Sequence, residues 1–303
     1  MSTQLALREA ALNLADVDLA VRGENIEKLA WTDLVQAAPL WLRISMRMVA
    51  EENHGVLLLA NREIPSPLFN RVIGLGQSAP ATDRQIADLM DRYWTLGISN
   101  YWVHAGPYAH PLRLGRMLHA HGLSLYRRSW VKMMRPAHHV HTSPSNIRIR
   151  RATFEDAHAV ASIVGPAFDL GQRAAELFTN LIDRPRWSVL VAELSAEIIG
   201  AAGLFAEGEM AYLAFAATRP KFRCRGTQRA LMQARINLAN QAGCSWIATE
   251  TGFPLAADEP NPSYHNMLWA GFRPVEIRDN YAPPGSQWKR MEEESEWDGE
   301  AEG

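Results

Sequence analysis

The segment "RCRGTQRAL" at residues 223–231 places two arginines and a glycine directly before a helical pattern. The first backbone N–H groups of a helix have no partner within it, and the aligned peptide dipoles give this end a partial positive charge. Such a junction binds anions, above all phosphate groups. Arg223 and Arg225 would add charged hydrogen bonds, and Gly226 would let the backbone approach the anion closely. The spacing therefore predicts an anion site and does not by itself name the anion.

The elements that must position this loop lie in the second half of the chain, after residue 146. Hydrophobic periodicity there predicts a strand, helices, three strands, a helix, a strand, a short helix and a closing strand. The segment "MAYLAFAAT" before the loop is almost continuously apolar, as in a central strand that is covered on both faces. Thr153 and Asp156 have N-cap spacing at the start of the first helix. This half is therefore predicted to be a mixed α/β layer domain.

The first half repeats the closing part of that order in a weaker form. The helical segment "ATDRQIADLMDRYWTLGI" is followed by the strand pattern "SNYWVHAGP", a short helix, a glycine and a final strand. This recurrence predicts an internal duplication. In the first copy "NRVIGLGQSAPATD" stands in place of the arginine loop, and no arginine lies between Gly76 and the helix. We expect this copy to have lost the anion site. Asn70 and Arg71 fit a buried strand, with a contact across the interface between the halves as the alternative.

Composition restricts the class of protein. The chain has 303 residues, of which 47% are hydrophobic, a length typical of about two soluble domains. It shows neither an apolar run long enough to cross a membrane nor a signal-peptide pattern, so we expect a cytoplasmic protein without a membrane partner. Two cysteines cannot build a disulfide framework or a cysteine-based zinc cluster. No basic stripe is dense enough to indicate a nucleic-acid partner.

Two segments lack the periodicity of folded elements. Residues 136–146 contain His138, His139 and His141 among prolines and serines, and we interpret them as a linker. These histidines have no nearby carboxylate or cysteine in the sequence, which favours solvated side chains over a metal site. Residues 292–303 carry seven acids and no base. This predicts a disordered, solvated tail, with autoinhibition or partner docking as the alternative.

The loop and its flanks resemble the GCN5-related N-acetyltransferase (GNAT) superfamily. "AATRPKFRCRGTQRAL" follows that family's order of a bulged strand, an Arg/Gln-x-x-Gly-x-Gly/Ala loop and a helix. The resemblance implies an acyltransferase that uses acetyl-CoA and no metal. It implies a mixed-sheet acetyltransferase fold in residues 147–291, preceded by a partial, degenerate copy in residues 1–135. The pyrophosphate of the cofactor would then be held by the loop residues Arg223, Arg225, Gly226, Thr227 and Gln228.

Two further segments extend the resemblance along the cofactor. The strand end "FAAT" occupies the place where the family's bulged strand pairs with the pantetheine arm, and "NPSYHNMLWAGFR" occupies the place of the helix that flanks this arm. The residues implied for these contacts are Ala216, Ala217, Thr218, Asn261, Ser263 and Asn266.

The sequence departs from the family pattern at two positions. Gln228 stands where the family prefers glycine or alanine, and Met267 stands where many members have a tyrosine that protonates the leaving thiolate. Tyr264 lies one helical turn before Met267 and is the candidate to replace that tyrosine. A packing role is the alternative for Tyr264.

The resemblance implies that a primary amine of a small molecule or peptide attacks the thioester directly, while a strand amide stabilises the oxyanion. The amine must lose a proton, to a base or along a water path. Glu250 is the only acid in the strand "CSWIATET", and it is the candidate base. An ion pair with an arginine is the alternative for Glu250. For the whole protein, a non-catalytic acyl-CoA sensor and an interaction scaffold remain the alternatives to an enzyme.

Overall fold

A computed structural model describes residues 17–142, 145–256 and 259–286; the predicted acidic tail, 292–303, lies outside the described residues. The first half contains α1 (Val17–Ala37), α2 (Leu40–Met46), β1 (Met48–Asn53), β2 (Val56–Asn61), β3 (Arg71–Ile73), α3 (Asp83–Leu96), β4 (Trp102–Ala105), α4 (Leu114–Ala120), β5 (Ser124–Leu125) and β6 (Trp130–Pro136). The second half contains β7 (Arg148–Arg151), α5 (Ala157–Ala167), α6 (Gln172–Thr179), β8 (Trp187–Leu194), β9 (Glu197–Glu207), β10 (Met210–Thr218), α7 (Thr227–Gln241), β11 (Trp246–Gly252), α8 (Pro262–Trp269) and β12 (Arg273–Ala282).

Local sequence signals account for several helix starts. The Thr153 backbone N–H donates to the Asp156 carboxylate at 2.7 Å, and this predicted capping interaction begins the 3-10 turn Phe154–Asp156 that leads into α5. Thr82 caps α3, where its hydroxyl oxygen accepts from the Gln85 N–H at 3.1 Å. These side chains use backbone donors that the first helical turn would otherwise leave unpaired.

The strands form one mixed sheet that runs through both halves. The sheet has twelve strands in the order β1-β2-β3-β4-β12-β6-β11-β10-β9-β8-β7, with β5 beside β12. Among the strands of the described residues, two neighbouring pairs are parallel, β3 with β4 and β10 with β11. The mixed α/β fold class predicted from the sequence is confirmed.

The two halves exchange strands at the centre of this sheet. β6 of the first half lies between β11 and β12, while β12 of the second half lies between β6 and β4. β6 is antiparallel to both neighbours, and its Lys132 is paired in register with Glu250 on β11 and with Glu276 on β12. Each half therefore ends in a strand that extends the sheet of the other half.

Helix α1 joins the halves on one face of the sheet. It packs against β10, β11 and β12 of the second half. Its Asp33 is 2% exposed and accepts hydrogen bonds from Arg184 Nε at 2.6 Å and Trp187 Nε1 at 2.8 Å. Trp31 of the same helix packs edge-on against Phe69, at 5.3 Å between ring centroids. One hydrophobic cluster contains Trp31 and Phe69 together with Phe178 and Phe215 of the second half, so it spans both halves.

The predicted repeat has a counterpart in the order of elements. The first half has the order α3, β4, α4 and β6, with the short β5 before β6, and the second half has α7, β11, α8 and β12. The predicted linker, residues 136–146, begins at Pro136, the last residue of β6, and ends before β7. Both halves contribute to one sheet. The division into two domains and the origin of the first half as a degenerate copy stay predictions.

Candidate active site

The arginine loop connects the end of β10 to the start of α7. A short 3-10 turn, Pro220–Phe222, leads into Cys224 and Gly226, whose φ angles are +59° and +83°. Gly226 is the N-cap residue of α7, and within the described residues no side chain caps this helix. A Cβ atom at Gly226 would have no atom within 4 Å beyond the adjoining residues. The start of α7 therefore has no capping side chain, and the space beside Gly226 is open, which leaves room for an anion at this helix start.

The side chains of the loop differ in their surroundings. Arg223 and Arg225 are exposed, and the Arg225 guanidinium lies 5.6 Å from the centroid of the Phe222 ring. Thr227 is 2% exposed, and its hydroxyl oxygen has no hydrogen-bond partner among the described residues. The Gln228 side-chain amide donates to the Thr218 hydroxyl at 3.0 Å, which ties the helix start to the end of β10. Two exposed cations thus precede an uncapped helix start, and a hydrogen bond ties this helix start to β10.

Strand β10 separates from β11 next to this loop. The two strands pair only through Met210, Ala211 and Tyr212, opposite Trp246, Ile247 and Ala248. Against its other neighbour, β9, the register of β10 shifts between Leu213 and Ala216, which marks a bulge. The bulge and the divergence occupy the place that the resemblance implied.

The amide of Ala216 faces the gap between the diverging strands. The Arg219 N–H donates to the Ile199 carbonyl of β9 at 2.8 Å. Backbone N–H groups of successive residues in a strand point to opposite sides, so those of Ala217 and Arg219 face β9, and those of Ala216 and Thr218 face the β11 side. This edge of β10 is suited to pair with an extended ligand.

Helix α8 is fixed to the end of β11 by Asn261. The side-chain oxygen of Asn261 accepts from the Tyr264 N–H at 3.0 Å, and its amide nitrogen donates to the Gly252 carbonyl at 2.9 Å. Both polar groups of this side chain are therefore used within the protein. Ser263 is exposed and Asn266 is half-buried. Cofactor contacts of these three residues stay predictions.

Tyr264 packs against Phe253 with 6.1 Å between ring centroids. Burial raises the pKa of its phenol, so the group keeps its proton at neutral pH, as a general acid must. Met267 is partly buried in the same cluster of apolar residues. Tyr264 can therefore pack in this cluster and also act as a general acid. Its role as the acid that protonates the leaving thiolate stays a prediction.

Glu250 is held by three side chains. Its carboxylate accepts from the Tyr212 hydroxyl at 3.0 Å, lies 2.8 Å from Arg71 Nη1 and forms an ion pair with Arg278. The Glu250 side chain is 6% exposed. An ion pair with an arginine is the alternative that the sequence leaves for Glu250, and the structure contains such pairs. A contact between the halves is the alternative for Arg71, and the Arg71–Glu250 pair is such a contact. The catalytic role of Glu250 stays a prediction.

Glu250 belongs to a buried charge cluster that sequence reasoning missed. Its members are Glu24, Glu27, Arg71, Lys132, Glu250, Glu276 and Arg278. Burial raises the pKa of Glu27, but the charges of Arg278, Lys132 and Arg71 outweigh it and lower that pKa well below its ordinary value. Burial and the charge of Glu24 raise the pKa of Glu276 well above its ordinary value. With Glu276 protonated, three carboxylates balance three cations.

A signal for this cluster exists in the sequence. Lys132 interrupts the otherwise apolar run "WVKMM", and Glu276 and Arg278 alternate with apolar residues in "VEIRD". A charge in the middle of a buried strand requires an opposite charge beside it. The sequence shows the need for partners, whereas their identity depends on strands that are far apart along the chain.

Comparison with known proteins identifies a family domain in the second half of the chain. The sequence profile of the Acetyltransferase (GNAT) family matches residues 155–257, a range that contains the bulged strand β10, the arginine loop, α7 and β11. The chain contains a GNAT acetyltransferase domain. The family resemblance and the acyltransferase class predicted from the sequence are confirmed, and acetyl transfer from acetyl-CoA is the reaction of the GNAT family.

Solved GNAT structures share the fold. A GCN5-related N-acetyltransferase from Kribbella flavida is 13% identical, with a TM-score of 0.57 over 81% of this chain and 96% of that chain. Another from Sphaerobacter thermophilus is 14% identical, with a TM-score of 0.54 over 76% and 81%. A tandem GNAT protein from the clavulanic acid biosynthesis pathway is 13% identical, with a TM-score of 0.50 over 65% and 68%. No curated protein sequence is significantly similar to this chain.

Two further properties concern metals and membranes. Within residues 17–142, 145–256 and 259–286, the side chains of His, Cys, Asp and Glu form no group of three or more that is placed to hold a metal ion. In the same parts of the chain, none of the helices has the length and apolar character needed to span a membrane.

Proposed function

We propose that this protein transfers the acetyl group of acetyl-CoA to a primary amine of a small molecule or peptide. The observation that carries the proposal is the uncapped start of α7 at Gly226, next to the bulged edge of β10 where β11 diverges. Acetyl-CoA contains a pyrophosphate, which suits the helix start, and an extended pantetheine arm, which suits the strand edge. Both features lie inside the GNAT domain.

The loop residues would hold the phosphate end of acetyl-CoA. Arg223 and Arg225 are exposed cations beside the first amides of α7, and charge-assisted hydrogen bonds to phosphate are stronger than neutral ones. The buried Thr227 hydroxyl lacks a partner within the described residues and is a further donor at the same place. The pantetheine arm would then lie along Ala216, Ala217 and Thr218, beside α8.

The reaction chemistry divides between the cosubstrate and the protein. Acetyl-CoA supplies an activated acetyl thioester. The Ala216 N–H would donate to the thioester oxygen as negative charge develops there. Tyr264 would protonate the leaving thiolate.

Glu250 requires a separate proposal, because its carboxylate already contacts Tyr212, Arg71 and Arg278. It cannot take the amine proton without giving up part of an ion pair. We therefore propose that Glu250 fixes Tyr212 at the point where β10 and β11 separate, and that water carries the proton away. The alternative is that Glu250 is the catalytic base. A pH profile of the Glu250→Gln variant distinguishes the two roles.

Two measurements test the proposed function. Calorimetry with acetyl-CoA and the full-length protein should show saturable binding. Release of free thiol from acetyl-CoA should then rise with at least one member of a panel of amino acids, polyamines, other small primary amines and peptides with free N-termini. Binding without thiol release for any amine would favour the acyl-CoA sensor, and absence of binding at millimolar acetyl-CoA would favour the scaffold.

A further inference from the structure

Arg235 is a buried cation in α7, two turns after the arginine loop. Arg235 is 2% exposed, and its Nε donates to the Leu231 carbonyl at 3.2 Å. Its Nη1 donates to the carbonyls of Gly203 at 3.3 Å and Phe215 at 3.4 Å. None of the described carboxylates lies within ion-pair distance of Arg235. A buried charge without a counter-ion is costly unless hydrogen bonds compensate, so this arrangement needs an explanation.

The carbonyls that Arg235 contacts lie at the bulge of β10. Phe215 is inside the segment where the register with β9 shifts, and Gly203 is on β9 beside it. A second anchor holds the other side of the bulge, where the Thr249 hydroxyl donates to the Leu213 carbonyl at 3.2 Å. The bulge is therefore fixed by side chains from α7 and β11.

One peptide unit connects Arg235 to the gap between the strands. The Phe215 carbonyl and the Ala216 N–H belong to the same peptide, and in a trans peptide these groups point in opposite directions. Since the Arg235 contact lies over β9 and β10, the Ala216 N–H points toward the side from which β11 diverges. This is the amide that the proposed function assigns to the thioester oxygen.

A cation bound to a peptide carbonyl changes the N–H of that peptide. Hydrogen bonds in a chain polarise one another, so a charged donor at the carbonyl makes the amide on the far side a stronger donor. Burial lowers the pKa of Arg235 to about 10, and the group therefore stays protonated at neutral pH. Because it is shielded from water, its field at this peptide is screened less than that of an exposed arginine.

We propose that Arg235 is a positioning residue for acetyl transfer, which orients and polarises the Phe215–Ala216 peptide so that the Ala216 N–H stabilises negative charge on the thioester oxygen. This inference rests on the proposed function, since it needs acetyl-CoA along β10. Preorganised donors of this kind act without reorganisation during the reaction. Arg235 itself would contact neither the thioester nor the amine.

The test uses the infrared band of the bound thioester, because that band reports polarisation of the carbonyl without any acceptor amine. Acetyl-CoA labelled with ¹³C at the acetyl carbonyl is bound to the full-length protein and to the variants Arg235→Met and Arg235→Gln. Methionine keeps the approximate length without charge, and glutamine keeps a neutral donor. Gln233→Met is the matched control, because it lies on the same helix and its side chain contacts the His141 carbonyl instead of the bulge.

In the wild type and the control, the thioester carbonyl should absorb at lower frequency than in free acetyl-CoA. Arg235→Met should lose at least about half of this shift, while CoA affinity by calorimetry stays within about threefold. The rate of thiol release should fall by about tenfold to a hundredfold, since removal of a whole oxyanion donor costs still more. Arg235→Gln should lie between the two, and it carries the test if circular dichroism shows that Arg235→Met does not fold.

Three results would overturn the inference. The first is a thioester band of the wild-type complex at the same frequency as in free acetyl-CoA, although CoA binds. The second is a folded Arg235 variant that keeps both the full frequency shift and the full rate of thiol release. The third is a variant in which this rate and the CoA affinity fall together while the frequency shift is kept, because that result indicates a merely structural role. Failure of the wild type to bind acetyl-CoA at all is a different outcome, because it removes the proposed function and this inference with it.

Discussion

Helices α3 and α7 begin in opposite ways, although they occupy corresponding places in the two halves. α3 has a capping side chain, Thr82, and an acid, Asp83, in its first turn. α7 has neither a cap nor a first-turn acid within the described residues, and arginines precede it. In α3, a side chain of the same half accepts a hydrogen bond from a first-turn amide. In α7, no side chain of the described residues does so, and the amides stay available to a ligand.

The glycines before the two helices differ as well. A side chain at Gly74 would lie 2.6 Å from the Gly55 carbonyl, and one at Gly76 would lie 2.5 Å from the His110 carbonyl. At Gly226 the corresponding space is open. Backbone atoms fill the space beside Gly74 and Gly76, which disfavours the approach of a phosphate group to this loop. A glycine-rich loop before a helix therefore predicts an anion site only where the helix is uncapped and the space is free.

The largest effect is expected from Arg71→Met, because the first half has a structural role in the charge cluster. This change leaves Glu27 and Glu250 buried with less opposing charge, and the free energy of unfolding should fall by about 3–5 kcal/mol. Urea denaturation measures this. The control is Arg84→Met in the same half, whose side chain is 91% exposed in a pair with Asp88 and should change stability by less than about 0.5 kcal/mol. Wild-type stability in Arg71→Met would favour independent domains.

Glu250→Gln should lower the turnover number by about a hundredfold, because Tyr212 loses its charged partner at the point where the strands separate. If Glu250 positions Tyr212, the factor should be the same between about pH 6 and pH 9, with any amine that the wild type accepts. A deficit that shrinks toward high pH, where the amine arrives deprotonated, would instead identify Glu250 as the base that the sequence predicted.

Gly226→Asp should weaken acetyl-CoA binding by at least about tenfold, or about 1.4 kcal/mol, because it places a side chain and a negative charge beside the pyrophosphate. Calorimetry measures the affinity. Gly208→Asp is the matched control, since Gly208 also has a positive φ, +55°, with no atom within 4 Å of the added side chain, and lies in the turn between β9 and β10. Equal affinity in a folded Gly226→Asp variant would contradict the assignment of the loop.

Thr82→Ala should have the smallest effect and should be confined to stability. Removal of the cap of α3 should cost about 1 kcal/mol in the free energy of unfolding. Acetyl-CoA affinity should not change, because backbone atoms crowd the glycines of the first loop and the cofactor is assigned to the arginine loop. A weaker affinity in this variant would show that the first half takes part in cofactor binding.

Short-range features of both halves could be predicted from the sequence. The Thr153–Asp156 cap, the strand before the loop, the loop itself and the start of α7 each depend on residues within one or two turns of each other. Their patterns reflect helix capping, strand alternation and the conformational freedom of glycine, which act locally. The same patterns supported the GNAT resemblance, which the family match confirmed.

Long-range features could not be predicted in the same way. The sequence singled out Glu250 as a candidate base or ion-pair partner, but it did not show that Arg71 and Arg278 form its ion pairs. It also left Arg235 unremarked, because an arginine in a helix is ordinarily a surface residue. Only the packing of α7 on the bulge brings its guanidinium to the Phe215 carbonyl.

The sequence by itself predicted the elements of the second half, the arginine loop before a helix and the resemblance to the GNAT family. The tertiary structure alone decided which strands of the two halves lie side by side, and hence which charges meet at the centre of the sheet. The physical reason is that capping and periodicity are set by neighbours along the chain, whereas the pairing of β6 with β11 and of β12 with β4 joins segments more than a hundred residues apart. Hydrophobic burial drives that pairing without specifying it in any single segment.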